Sequence, residues 1–397
     1  MKTGKSFKAH QPVDLYFGSG ELVKLGEVVA ALEGAPKKVF LLTMPELVAL
    51  GLVDGAVSSL KEAGLEVVVF DKVKPEPSCT HVDEVAALVR ESGAQVLVAF
   101  GGGSVMDVAK AAAIAATHPE PTWMYVNLSN RPPLDIEAVT LPVVVVSTTS
   151  GTGSEATPYA VMSNDETIQK GTIKSSYIFP RAAIVDPSLT LKLPPRLTAA
   201  TGVDAFCHAL ESFINIPNRN AFSIMVASEA MRTLYKSLPA AVANGADLAL
   251  REEVAWGSTL AGVAIANAGT TVAHGMAQPL GARAHLSHAE TVAIFTVPVL
   301  RNTWQAATGL FAEIASLLDP QRVLGFSEEA AAEAGVDMVE EFFKEVGMFI
   351  KMKEFGVKED ILSDLVGDIT GYMSRPLAQH PKVFNAEEVM KILKEAY

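Results

Sequence analysis

Along the first half of the chain, short runs of β-branched and other apolar residues alternate with longer stretches whose apolar positions recur every three to four residues. Residues 38–43, 66–70, 96–100 and 141–146 read as strands, and residues 46–60, 81–91 and 105–116 read as helices between them. Strands that stay apolar without alternation are buried on both faces, and strands separated by helices are joined by crossovers. The pattern therefore predicts a mostly parallel sheet with helices on both sides. From residue 197 onward the strand signal fades, and the segments are long, Ala-rich and periodic at the helical repeat, which predicts an all-helical second half. The proline-rich residues 186–195 form the joint, so the expected division is an α/β domain over residues 1–190 and an all-α domain over 191–397.

Polar residues that interrupt these apolar faces carry the chemistry. Asp204 and His208 are four residues apart in a stretch with helical periodicity, so both side chains leave one face about a turn apart. His274 and His288 follow. Between them lie Gly275, Pro279 and Gly281, which speak against one straight helix and predict that the chain turns back to present His288. One carboxylate oxygen with up to three imidazole nitrogens suits a borderline divalent metal such as iron, zinc, nickel or cobalt, and does not suit calcium or magnesium. His10, His81, His118 and His380 read as ordinary core or surface histidines, and Cys207, on the ligand helix, reads as packing.

The third strand runs straight into Gly101-Gly102-Gly103-Ser104, and a helix begins just beyond, with Asp107 in its first turn. Three glycines allow a tight turn and close approach of a phosphate to bare backbone amides at the positive end of the helix dipole. This is not the Gly-x-Gly-x-x-Gly fingerprint, so a dinucleotide is suggested rather than specified. Asp107 has two readings, a cofactor contact or the acidic end of a Ser104-x-x-Asp107 capping box. After the fourth strand comes a second polar loop, Ser147-Thr148-Thr149-Ser150-Gly151-Thr152-Gly153-Ser154-Glu155, either a nucleotide-binding loop or a Ser/Thr turn. Two such loops after two strands of one sheet converge on the same edge.

Composition narrows the partners. At 397 residues, 49% hydrophobic and 19% charged, the chain is long enough for two cores. A net charge of −13 with no Lys/Arg cluster excludes a phosphate backbone as partner. No apolar run of 18 residues or more appears, and residues 1–10 are polar and basic without an apolar segment, so no membrane association or export is expected. Two cysteines, Cys79 and Cys207, build no disulfide framework, in keeping with a reducing, cytoplasmic compartment.

Together these motifs resemble those of the iron-dependent (group III) alcohol dehydrogenases. The resemblance runs from Phe17-Gly18-Ser19-Gly20 to the C-terminal helix with the motifs in the same order. It implies a Rossmann-like α/β dinucleotide-binding domain followed by an all-α domain, the dehydroquinate synthase-like architecture. It further implies that Fe(2+), with Zn(2+) or Ni(2+) as substitutes, is bound between the domains by Asp204, His208, His274 and His288. NAD or NADP would contact Gly101, Gly102, Gly103, Ser104, Asp107, Thr148, Thr149 and Thr152, with Lys170 reaching it from the strand after the polar loop. Met44 stands where NAD-preferring relatives often carry an aspartate against the adenine ribose, so the choice between NAD and NADP stays open. Gln278 stands four residues after His274, where many members have a titratable histidine. His285 is a candidate substitute as proton carrier. The implied activity is hydride transfer between a nicotinamide and a small primary alcohol or diol and its aldehyde, in a homodimer or higher homo-oligomer.

Two other readings keep some of these features. A dehydroquinate synthase-like or polyol-phosphate enzyme would use the same metal and bound NAD, but its anionic substrate asks for basic residues, and the ligand segments offer mainly Arg283 and Arg301. A metal-dependent hydrolase would leave the glycine turn purely structural.

Overall fold

The computed structural model describes residues 6–397, so the start of the polar N-terminal stretch lies outside the described residues. Two compact units separate between Leu193 and Pro194, with residues 6–10 grouping with the helical one.

The first unit holds a six-stranded, all-parallel sheet. Its strands are β1 (Asp14–Phe17), β2 (Lys38–Leu42), β3 (Glu66–Phe70), β4 (Val96–Gly101), β5 (Val143–Ser147) and, after a hairpin, β8 (Ala182–Val185). The hairpin, β6 (Tyr159–Asn164) with β7 (Gln169–Lys174), is antiparallel and forms a separate two-stranded sheet. Strand order in the large sheet is β1-β8-β5-β4-β2-β3. The inner strands β4, β5 and β8 are buried throughout, as uninterrupted apolar runs require, whereas the outer strands β1 and β3 are partly exposed. β1 and β8 were not foreseen, because four-residue strands give too short a run for periodicity to register.

Helices α1 (Leu25–Ala30), α2 (Pro45–Ala49), α3 (Val53–Glu62), α4 (Cys79–Ser92) and α5 (Gly103–Ala115) connect the strands. The helix expected over residues 46–60 is two helices, broken at Gly51, whose φ of 69° lies in the left-handed region that favours glycine. Leu25, Val28, Val29, Val53, Ala56 and Leu60 of α1 and α3 pack against Val39, Leu41, Val96, Val98, Val144 and Ile184 of the sheet in one apolar core. α1 and α3 approach closely because residue 26 is glycine.

The second unit is all-helical: α6 (Pro195–Ile214), α7 (Ala221–Ala243), α8 (Leu248–Ala268), α9 (Val272–Ala284), α10 (His288–Arg301), α11 (Thr308–Leu318), α12 (Glu328–Glu345), α13 (Leu362–Thr370), α14 (Ser374–Gln379) and α15 (Ala386–Ala396). From Gly202 to Ile214, α6 is buried on every side and so lies at the centre of this unit. α7 comes very close to it: a Cβ on Gly202 would meet Leu238 Cδ1 at 2.3 Å. No helix among the described residues is long and apolar enough to cross a membrane.

The α1–α3 contact sets a direct check. A Cβ on Gly26 would fall 2.0 Å from the Ser59 carbonyl oxygen, and the Gly26 N–H donates to Ser59 Oγ at 2.9 Å. Gly26→Ala is expected to destabilise the first unit by about 1–3 kcal/mol through overpacking, read as a lower urea midpoint. A midpoint equal to that of the parent would contradict this packing.

Candidate metal and coenzyme sites

The metal-ligand candidates converge within the helical unit. Asp204 and His208 leave one face of α6, His274 sits in the first turn of α9, and His288 is the first residue of α10. One donor atom from each of the four lies within 4.8 Å of the other three. From Asp204 Oδ1 the distances to Nε2 of His208, His274 and His288 are 3.9, 3.7 and 3.9 Å. Bonds of about 2.0–2.2 Å in a tetrahedral or octahedral set put donors about 3–4 Å apart, so this spacing fits one small cation with side-chain shifts of tenths of an ångström.

The turn between His274 and His288 differs from expectation in its place. α9 runs unbroken through Gly275, Pro279 and Gly281, and the chain reverses at His285, whose φ of 53° caps the helix. Proline removes one helical hydrogen bond, a loss that a buried helix tolerates, while Gly275 lets Pro376 approach to where a Cβ would be 2.8 Å away. His285 is exposed at that cap and is not among the four clustered residues. Gln278 is buried one turn beyond His274.

Sequence reasoning missed Glu211. It lies one turn past His208 on α6, fully buried, and its carboxylate accepts the Nδ1 proton of His274. The same carboxylate accepts from the backbone N–H groups of Thr271 (3.2 Å), Ala273 (2.7 Å) and His274 (3.4 Å), capping the start of α9. A carboxylate on one ring nitrogen of a histidine fixes the tautomer and turns the other nitrogen toward a metal. The signal available was Glu211's spacing of three from His208 and seven from Asp204, the same helix stripe.

The electrostatics ask for a cation. Burial opposes ionisation of both Asp204 and Glu211, yet the neighbouring imidazoles outweigh it and hold Asp204 well below the usual carboxylate range and Glu211 down at about 2. Burial likewise opposes charge on His274, but Glu211 and Asp204 win and raise it to about 9. Asp204 Oδ1 and His274 Nε2 are buried, face each other at 3.7 Å and make no hydrogen bond, an arrangement that costs about 1–3 kcal/mol per group unless something between them is bound. Counting Glu211, two carboxylates balance a dication.

In the α/β unit, chain order turns back between β2 and β4, and the loops after these neighbouring strands flank the crevice where such sheets bind ligands. Met44 caps α2 after β2. Gly101 ends β4, Gly102 caps α5 and Gly103 and Ser104 open it. Gly102 receives no side-chain hydrogen bond as cap, so the first N–H groups of a 13-residue helix have no side-chain partner there. None of Gly101 to Gly103 has positive φ, so the turn itself does not require glycine. The requirement is steric: a Cβ on Gly103 would meet Thr152 Cγ2 at 2.5 Å, and one on Gly102 would meet Thr149 Oγ1 at 3.0 Å. Thr148 N–H donates to Gly101 O at 3.1 Å, so both predicted loops form one polar surface.

The Ser104-x-x-Asp107 capping box does not form. Ser104 Oγ accepts from Glu76 N–H at 3.3 Å, and Asp107 accepts from Ser154 Oγ at 3.1 Å. Lys110, one turn on and fully buried, donates to the carbonyls of Ser154, Thr157 and Tyr159 and to Ser154 Oγ. Burial pushes Asp107 up and Lys110 down, each opposed by the other's charge. Lys170 sits on β7, the second strand after the polar loop rather than the first, and its ammonium pairs with Glu76. Lys110 and Glu76 were not foreseen, because a lone lysine or glutamate reads as a surface charge until burial is known.

Comparison with known proteins matches this geometry. Residues 12–187 fit the family model for iron-containing alcohol dehydrogenase, and residues 198–397 fit the C-terminal model of the Fe-containing alcohol dehydrogenase family. The chain is 36% identical over 382 residues to long-chain-alcohol dehydrogenase 1 of Geobacillus thermodenitrificans, covering 96% of this chain and 94% of the relative. It is 34% identical over 391 residues to 1,3-propanediol dehydrogenase of Klebsiella pneumoniae, covering 96% of each. The crystal structure of an archaeal halo-thermophilic Red Sea brine pool alcohol dehydrogenase superposes with a TM-score of 0.92 at 31% identity, over 99% of each chain. The dehydroquinate synthase-like alternative is not favoured by these matches. With its parallel sheet, helical second half and Asp/His cluster, the chain belongs to the iron-containing alcohol dehydrogenase family and is a metal-dependent, NAD(P)-linked alcohol oxidoreductase.

Proposed function

We propose that Asp204, His208, His274 and His288 hold a single Fe(2+) ion and that the protein interconverts a small primary alcohol or diol and its aldehyde with NAD or NADP. The observation that carries this reading is the convergence of one carboxylate and three imidazoles, all but His288 buried, with Asp204 Oδ1 and His274 Nε2 lacking hydrogen-bond partners. When bound, the ion supplies Lewis acidity toward the alcohol or carbonyl oxygen.

The chain's own residues do the rest. Asp204 contributes the negative charge that retains a dication, and Glu211 holds the Nδ1 proton of His274 so that Nε2 faces inward. Burial of Asp204, His208 and His274 keeps bulk water away from these donors. Alcohol oxidation releases a hydride to the nicotinamide and a proton from the hydroxyl. Gln278 cannot take that proton, since an amide does not titrate, so the proton leaves through water or through a group other than residue 278. In the α/β unit, the bare N-terminus of α5 and the Thr148–Thr152 loop serve the coenzyme phosphates and ribose, with Asp107 and Lys110 holding the loop through Ser154. Lys170 and Met44 complete the coenzyme residues. Met44 brings no carboxylate to repel a 2′-phosphate, so both coenzymes are compatible. A homodimeric, cytoplasmic enzyme belongs to the same reading, supported by family membership.

Iron-loaded protein is expected to reduce NAD+ or NADP+ with at least one short primary alcohol or diol. Asp204→Ala and His274→Ala are expected to lose bound metal and at least about 100-fold in kcat/KM while keeping parent-like circular dichroism. Variants that retain stoichiometric metal, or turnover indifferent to chelation of the parent, would refute the assignment.

For the coenzyme half, Gly103→Val pushes a branched side chain into Thr152 and is expected to raise the coenzyme KM about tenfold or more, a loss of roughly 1.4 kcal/mol, with metal content unchanged. Steady-state kinetics with varied coenzyme checks this, and an unaltered KM would remove the glycine turn from the coenzyme site.

A further inference from the structure

Behind Glu211 the hydrogen bonds continue away from the ligand cluster. Thr271 Oγ1 donates to Glu211 Oε1 at 3.0 Å. His380, buried at the C-terminal cap of α14, places Nδ1 3.1 Å from the same Thr271 oxygen and Nε2 2.8 Å from Thr303 Oγ1. Thr303, just past the end of α10, has one hydroxyl proton and two acceptors within reach, His380 Nε2 and, at 2.6 Å, Val299 O, which also accepts the Asn302 N–H at 3.2 Å. One imidazole therefore joins the end of α14, the start of α9 and the end of α10.

Proton counting gives this chain a direction. Both Glu211 oxygens are taken by donors, three backbone N–H groups and the His274 imidazole, so the carboxylate acts as an acceptor and the single hydroxyl proton of Thr271 points to it. The Thr271 oxygen can then only accept from His380, which requires the proton of His380 to sit on Nδ1. Were Nδ1 bare, two acceptors would face each other at 3.1 Å inside the core, an arrangement that costs about 1–3 kcal/mol. Burial lowers His380 to about 4, so at neutral pH the ring carries one proton; with that proton on Nδ1, Nε2 takes the Thr303 hydroxyl proton and Val299 O is left to the Asn302 N–H. The order is His380 Nδ1–H to Thr271, Thr271 O–H to Glu211, and His274 Nδ1–H to Glu211 from the other side.

We propose that His380 is a positioning residue for the metal site: through Thr271 it completes the hydrogen bonds that hold Glu211 in place and so fixes the tautomer and ring direction of His274. This rests on the metal reading above. Glu211 receives a hydroxyl and three backbone N–H groups besides the imidazole of His274, and of these donors only the hydroxyl can rotate away. Its proton has two candidate acceptors, Glu211 and a bare His380 Nδ1, and the tautomer of His380 decides between them. Residue 380 reads from sequence as one more core histidine because its partners are 77 and 109 positions away.

The probe is Co(2+) titrated into metal-free full-length protein, followed by its visible ligand-field bands and by calorimetry. His380→Phe removes the Nδ1–H donor and is expected to weaken Co(2+) binding about tenfold and to shift the ligand-field spectrum, as loss of support behind a metal-bound histidine does. His380→Asn, whose amide offers an N–H toward Thr271, is expected to restore most of the affinity. Thr271→Val removes the connecting hydroxyl at nearly constant volume and should resemble His380→Phe, which keeps the test open if the phenylalanine variant folds poorly. Thr303→Val removes the hydrogen bond on the far side of the ring and is expected to leave affinity and spectrum unchanged. Parent affinity and spectrum in both His380→Phe and Thr271→Val would overturn the proposal while leaving the metal site intact. Equal weakening by Thr303→Val would also overturn it, as a general packing effect. A parent protein that binds no Co(2+) would end the metal reading and this inference together.

Discussion

The Asp204 carboxylate, sealed in the middle of the helical unit among three imidazoles, is the constraint on which the rest of that unit depends. A buried negative charge is tolerated only with a compensating positive one, and the surrounding helices are arranged to keep that compensation in place. α6 lies at the core so that Asp204, His208 and Glu211 share one stripe. Gly202 lets α7 close over it, and the first residues of α9 and α10 bring in His274 and His288. Glu211 joins two tasks, satisfying the bare N–H groups at the start of α9 and orienting the histidine that α9 carries. Local folding of that helix and shaping of the ligand set are therefore one event.

The α/β unit solves a different problem, presenting unmade hydrogen bonds to a ligand without losing its own order. The N-terminus of α5 lacks a side-chain cap, and its glycines make room for the threonines of the neighbouring loop. Rigidity comes from underneath, where the Lys110 ammonium gathers three carbonyls and a hydroxyl that would otherwise leave the Ser-Thr-Gly loop poorly anchored. A cation surrounded by oxygens and beside Asp107 is an expensive arrangement in a core, and its presence beneath the loop fits a surface that must be held in shape.

Much of this was readable from residue order, for identifiable reasons. Strands β2, β3, β4 and β5 announce themselves as apolar runs, and Asp204 with His208 as a helical pair, because each signal is local. What escaped was set by distant partners. β1 and β8 are four residues each and owe their place to each other and to β5. Pro279 reads as a helix breaker, yet α9 continues through it, held by Glu211 at one end and packed against α14 through Gly275. Of the two readings of Asp107, the capping one rested on Ser104 three residues before it, and the serine hydroxyl is engaged by Glu76 instead. Lys110, Glu211 and Lys170 look like ordinary charges until burial and partners reveal them as fixed parts of the interior.

The most direct test of the central claim is X-ray absorption at the iron edge on anaerobically loaded protein, combined with anomalous diffraction to place the ion. The account expects one iron per chain between α6, α9 and α10, with three imidazole nitrogens and one carboxylate oxygen in its shell at about 2.0–2.2 Å. An ion located elsewhere, or a shell without the imidazole scattering of His208, His274 and His288, would contradict it.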